Sequence, residues 1–322
     1  MTGFEVTGGS SFDELNRYTR IIVDEALRRG IHVDVLDPGT GHLRLTLATR
    51  TVTTRESLSE LTSQAAFDRC NDKLATRAVL AAAGVPLPRG RAATFDDDDR
   101  AFLAECGSIV VKPAVGEGGA AVSVGVATPE ELDLTIEAAR AVCPSVVLEA
   151  TSPGDDLRVV VIADEVVAAA VRRPPTVVGD GRATIATLIS ELAERRAAET
   201  DGAARIPLDA TTSAVVEAAG HSLDTVLPEG EELRVRRTAN VHTGGTIDDV
   251  TDELHPALAA IALDVARALE IPVVGVDLMV PDVSGPVGVV IEANEQPGLA
   301  NHEPRPTAQR FLDLLFPESR ET

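Results

Sequence analysis

Lysine is nearly missing from this chain. Of its 29 basic residues only Lys73 and Lys112 are lysines, and every other basic position is arginine. The two survivors stand out as positions where a compact ammonium on a flexible stem does what a planar guanidinium cannot, such as acting as a point charge on phosphate. Basic charge of any kind is outweighed. A net charge of −22 and a pI near 4.6 exclude nucleic acid and anionic membrane as default partners, because polyphosphate backbones need basic stripes. Cysteine is scarce as well: Cys70, Cys106 and Cys143 make an odd number without metal-ligand spacing, which points to reduced, structural thiols. No apolar run approaches the length of a membrane span. The opening MTGFEVTGGSS has neither a basic n-region nor an apolar h-region, so the expectation is a cytoplasmic chain with no membrane association.

What is present reads as globular, with 44% apolar and 25% charged residues. A length of 322 residues suits two or three packed units. We read an N-terminal α/β unit over residues 1–68, a small subdomain over 69–150 and a large one over 151–322. In the first, Leu15, Tyr18, Ile22 and Leu27 predict a helix over residues 11–29, capped by Ser11 or Asp13 and stopped by Gly30, while HVDVLD and HLRLTLA alternate as strands. No G-x-G-x-x-G follows its first strand, so a dinucleotide role there has no support. Further helices are expected at 71–83 with Lys73 in the first turn, at 100–106 capped by the acidic run Asp96 to Asp99, and at Pro129–Val142 behind Thr128. Others fall at 183–199, at 254–269 with Leu254, Leu258, Ile261, Val265 and Leu269 on one stripe, and at Thr307–Leu315. The acidic run is otherwise read as a solvated face. Residues 200–230, polar and poorly periodic, are read as an insertion or lid.

The stretch IVVKPAVGEGGAAVSVGV, from Ile109 to Val126, delivers Lys112 on an apolar strand and runs straight into Gly116, Glu117, Gly118 and Gly119. Such glycines let the backbone turn tightly and offer several N–H groups to phosphate oxygens; an ordinary glycine hairpin is the other reading. Glu149 closes the next apolar strand, where it accepts ribose hydroxyls or faces water. A hairpin turning near Asp164 puts Arg158 at the start of one strand and Arg172 and Arg173 at the end of the other, as site residues or as salt-bridge partners in an acidic chain. Asn240 and the loop 243–246 follow a later strand, and that loop forms an anion nest or a tight turn. His242 has no partner at ligand spacing and is read as structural.

Near the C-terminus, IPVVGVDLMV and PVGVVIEANEQPG flank the turn PDVSG. Pairing without a bulge about a centre between Ser284 and Gly285 sets Asp277 opposite Glu292, with Asn294 two residues on along the same face. Like charges opposed in an apolar hairpin are destabilising unless a cation lies between them. Three oxygen-bearing side chains suit a hard ion such as Mg²⁺; an outward-facing Asp277 or Glu292 is the alternative.

The order of strand, Lys112, glycine loop, Glu149, and then Asp277 and Glu-x-Asn on late strands resembles the ATP-grasp carboxylate–amine ligases across nearly the whole chain. RESLSELTSQAAFDRCNDK and EANEQPGLANHEPRPTAQRFLDLLFP are most similar to the ligase portion of N-acetylglutaminylglutamine synthetase, and VVVIADEVVAAAVRRPPTVVGDGRATI also resembles cyanophycin synthetase. The resemblance implies an α/β (α+β) ATP-grasp fold behind a small N-terminal pre-ATP-grasp unit. It implies ATP and Mg²⁺, with Mn²⁺ able to replace it, and small amino-acid or peptide substrates. Lys73, Lys112 and the loop Gly116, Glu117, Gly118 and Gly119 would hold ATP phosphates, and Glu149 adenosine. Asp277, Glu292 and Asn294 would bind metal, and Arg158, Arg172, Arg173 and Asn240 would serve the reacting groups. A chain of this length is expected to leave no room for the acetyltransferase-like N-terminal region of that relative type, so an acetylated acceptor is not expected or would come from another protein, and Gln296 stands where several ATP-grasp relatives place a basic residue. A D-alanine–D-alanine-like or cyanophycin-type amino-acid ligase, and a nucleotide-binding regulatory module without ligation, remain open, as does a homodimer.

Overall fold

The computed structural model describes residues 12–116, 118–199, 204–239 and 243–320. Glu117, Asn240 and His242 lie outside them. The chain divides into two compact units, each assembled from separate segments. One comprises Met1–Arg91, Ser152–Ala170 and Asp249–Thr322, the other Ala92–Thr151 and Val171–Asp248.

In the first unit the leading helix is Arg17–Arg28, shorter than expected. Its cap is Asn16, whose side chain accepts from the Thr19 N–H, rather than Ser11 or Asp13; Phe12–Glu14 form a single 3-10 turn instead. Gly30, at φ +71°, ends it as expected. Leu27 does not join the apolar stripe and is 47% exposed, the buried face being Ile22, Val23 and Ala26. The two expected strands, His32–Asp37 and His42–Leu47, are the first half of a four-stranded antiparallel meander completed by Arg50–Arg55 and Leu58–Ser59. Val33, Leu43, Leu45 and Val52 share one core with Phe311, Leu312 and Leu315 of the helix Thr307–Leu315. The first and last helices of the described residues thus share one core. The buried Glu25 carboxylate binds Arg28 and Arg29, and Arg29 also reaches Asp313 at 2.7 Å. The Arg28 hydrogen bond holds the Glu25 carboxyl below the usual glutamate range; burial opposes this and Arg29 adds to it. A depressed carboxylate pKa stabilises the fold above its unfolded value, about 4.3, and that contribution disappears as pH falls through the folded pKa. Urea midpoints should therefore separate Glu25→Gln from the parent at pH 7, and the separation should shrink toward pH 3.

The expected helix at 71–83 is Lys73–Ala82, and an unexpected helix, Gln64–Asn71, precedes it. Asp72 breaks them: its backbone is extended (φ −98°, ψ 109°) and its side chain caps the N–H groups of Leu74 and Ala75. Behind them lies a sheet in which Glu165–Arg173, Asp155–Ile162, Val273–Val280 and Val289–Asn294 are successive neighbours. The helix Pro256–Leu269, N-capped by His255, buries Leu258, Ala262, Val265 and Leu269, and packs against this sheet. Leu254 and Ile261 are only half-buried, so the stripe is narrower than expected.

In the second unit the strand Ile109–Pro113 lies between Ser123–Val126 and Val146–Ala150 and is antiparallel to both. The helices Asp97–Cys106 and Pro129–Val142 complete a core with Phe102, Leu103, Ile109, Val111, Leu132 and Leu148. Thr128 and Glu131 form a full capping box. The acidic run does cap the first of these helices, through Asp96, but Asp99 is not on a solvated face. It is 1% exposed and accepts the Thr94 and Phe95 N–H groups and the Thr94 hydroxyl. Asp99→Ala should strand those donors and lower unfolding stability by about 2–3 kcal/mol, measurable in urea. Residues 204–239 are not a loose lid either. The helix Ala210–Ala218 and the strand Glu232–Arg234, paired with Thr176–Val178, join the helix Ile185–Glu199 around Ile189, Ile206, Val216, Leu227 and Val235. These apolar residues are too widely spaced for a periodic signal and become a core only by converging on the helix.

Candidate active site

In the first unit Asp277 stands directly opposite Glu292, and Gly275 opposite Asn294. The hairpin is not regular, however. A bulge after Asp277 shifts the register so that Leu278 faces Val290, and the expected pairing holds on the far side of it. Two protein cations offset the opposed carboxylates. Arg158, opposite Asp277 on the other neighbouring strand, grips it through one guanidinium edge: Nε to Oδ1, and Nη2 to Oδ2 at 2.9 Å. Asp277 is 1% exposed, so this is a buried pair. Lys73, in the first turn of its helix as expected, reaches Glu292 at 3.2 Å. Asn294 donates from Nδ2 to the Gly275 carbonyl at 3.3 Å and to Asp277 Oδ2 at 3.4 Å. Arg158, Asp277 and Asn294 thus form one linked set, and the Lys73–Glu292 pair stands opposite it across the hairpin. Arg158 is the fourth residue of its strand, not the first. Among the described residues no three His, Cys, Asp or Glu side chains cluster as metal ligands. The Asp277–Glu292–Asn294 donors are all oxygen-bearing, a set that fits a hard divalent cation.

The loop that follows this hairpin is tied to the N-terminal meander. Gln296 accepts from Arg55 Nε at 3.0 Å and donates to Glu56 at 2.9 Å, and the Ser57 hydroxyl donates to the Pro297 carbonyl at 2.7 Å.

In the second unit Lys112 and Glu149 meet across adjacent strands at 2.5 Å, their side chains 8% and 9% exposed. Gly116, Gly118 and Gly119 all have positive φ, and so does Ala121, giving the reversing backbone of which anion nests are made. Arg237, which sequence reasoning passed over, donates to the Val124 carbonyl at 2.6 Å on the strand leaving this loop. A Cβ at Gly125 would come within 3.1 Å of its Nη1. Arg172 and Arg173 end their strand as expected. Arg173 pairs with Asp248 at 2.7 Å with both side chains about half exposed, a pair of small energetic weight. No helix among the described residues is long and apolar enough to cross a membrane.

Residues 70–187 match the RimK-like ATP-grasp domain. Cyanophycin synthetase of Trichormus variabilis is 35% identical over 325 residues, spanning 94% of this chain and 35% of that protein. The glutathione biosynthesis bifunctional protein GshAB of Pasteurella multocida is 27% identical, over 96% of this chain and 44% of that protein. The solved bifunctional glutathione synthetase from Pasteurella multocida superposes with a TM-score of 0.67 at 25% identity, covering 95% of this chain and 44% of that one. D-alanine–D-alanine ligase from Bacillus anthracis shares the fold, with a TM-score of 0.52 at 17% identity over 80% of this chain and 70% of that one. The chain therefore spans less than half the length of the cyanophycin synthetase and GshAB relatives. Its fold is the ATP-grasp fold, and the family match is confined to residues 70–187.

Proposed function

We propose that this chain is an ATP- and Mg²⁺-dependent ligase that joins an amino-acid or peptide carboxylate to an amine. The observation that carries this reading is the register of the carboxylate hairpin: Asp277 directly opposite Glu292, with Asn294 beside them on an apolar sheet. Asp277, Glu292 and Asn294 would hold Mg²⁺, which would supply charge neutralisation for phosphoryl transfer. A substrate carboxylate oxygen attacks the γ-phosphorus and the bond to ADP breaks. The amine nitrogen then attacks the acyl carbon of the resulting acyl phosphate, loses a proton and releases phosphate. Lys112, Lys73 and the loop 116–119 bind the ATP phosphates, Glu149 the ribose, and Arg158 with Arg172 or Arg173 steadies the transferred group. Asn240 and Glu117 are assigned to the same machinery by the family resemblance alone.

The similarity over 94% of the chain favours a cyanophycin-type amino-acid ligase as the substrate class. The segments resembling N-acetylglutaminylglutamine synthetase support a second reading, a small-peptide ligase. A screen of amino-acid pairs for ADP release, with mass spectrometry of the product, separates them. Release that needs both a carboxylate and an amine supports ligation; nucleotide binding with no release under any pair would instead identify a regulatory module.

A further inference from the structure

Gly275 lies inside the apolar strand Val273–Val280, where a glycine weakens a strand and buries no side chain. Its backbone does not explain it, because it is absent from the positive-φ positions of the described residues. Space does. A Cβ built at position 275 would stand 2.9 Å from Nη1 and 3.2 Å from Cδ of Arg158 on one side, and 3.0 Å from the Pro297 Cβ on the other. The Arg158 contacts lie along the guanidinium whose Nε and Nη2 are held by Asp277. The Pro297 carbonyl is fixed by Ser57, so that wall has a tether of its own.

We propose that Gly275 is a positioning residue: its missing side chain lets the Arg158 guanidinium lie across the strand, and so fixes where Nη1 is presented to the reacting oxyanion. The second half of this statement rests on the ligase reading above; the first half does not. An alanine is compatible with the backbone here, so its effect is steric and falls on the arginine. Position 275 also faces Asn294 across the hairpin, so the space above it adjoins all the proposed metal ligands.

The test is a double-mutant cycle of Gly275→Ala and Arg158→Ala, read in two ways. With a substrate pair from the screen, Gly275→Ala should lower kcat tenfold or more while the KM for ATP moves less than about threefold. The double variant should be no slower than Arg158→Ala alone. On thermal unfolding the two losses should likewise fail to add. Additive losses in either readout, or a Gly275→Ala kcat within twofold of the parent, would overturn the proposal by assigning the glycine to Pro297 or to strand packing. Should Arg158→Ala not fold, Arg158→Lys replaces it, since lysine keeps the charge but has no Nη1 to collide, and it should relieve the Gly275→Ala defect. If no substrate pair releases ADP, the ligase reading fails by itself, and the unfolding cycle still decides the geometry.

Discussion

Lys112→Met is expected to destabilise the second unit by about 3–5 kcal/mol, the cost of stranding one member of a buried ion pair. Lys112 and Glu149 are each less than a tenth exposed and meet at 2.5 Å across neighbouring strands. Methionine matches the stem but removes the cation from the buried Glu149 carboxylate. The double variant Lys112→Met with Glu149→Leu should recover most of the loss, because removing both charges leaves no uncompensated one. Urea unfolding of the three proteins measures this. Lys112→Arg keeps the charge but replaces a point donor with a wide planar fork. It should lose about tenfold or more in affinity for a non-hydrolysable ATP analogue, beyond what its unfolding midpoint explains. Equal nucleotide affinity in Lys112→Arg would remove the phosphate role from Lys112 and leave it a structural cation.

Glu292→Gln should reduce ADP release by about 10²-fold or more, in line with removing one electrostatic contact at developing charge. Its stability should change by about 1 kcal/mol, since the Glu292 side chain is 36% exposed and glutamine keeps an oxygen that can accept from Lys73, whose side chain is 12% exposed. That contrast separates a role in chemistry from one in folding. Asp277→Asn should lose activity similarly but also lose stability, because Asp277 is buried and pairs with Arg158 through both carboxylate oxygens. Raising Mg²⁺ should partly restore Glu292→Gln, which keeps one oxygen donor. If ADP release is unchanged in both variants, the metal assignment is wrong.

The two lysines show how far composition can carry a site. Their scarcity marked Lys73 and Lys112, and both occupy ion pairs with carboxylates that were marked for other reasons, Glu292 and Glu149. The opposition of Asp277 and Glu292 was legible because strand alternation has a period of two and the turn could be centred from sequence. The bulge after Asp277 was not, since an extra residue leaves no mark in the alternation of the two strands. Gly275 did carry a signal: a lone glycine amid valines marks close approach of another group. That the group is Arg158 depends on the neighbouring strand, more than a hundred residues earlier.

The sequence by itself determined the element types, most helix ends and the candidate chemistry, because caps, periodicity and residue type act locally. Tertiary structure decided what required distant segments to meet. It brought the first and last helices into one core and made a packed body of residues 204–239. It buried Asp99 beneath its own turn, and it gave each opposed carboxylate a cation. Those outcomes come from burial and charge pairing, which have no period along the chain and take effect only when the strands have found their neighbours.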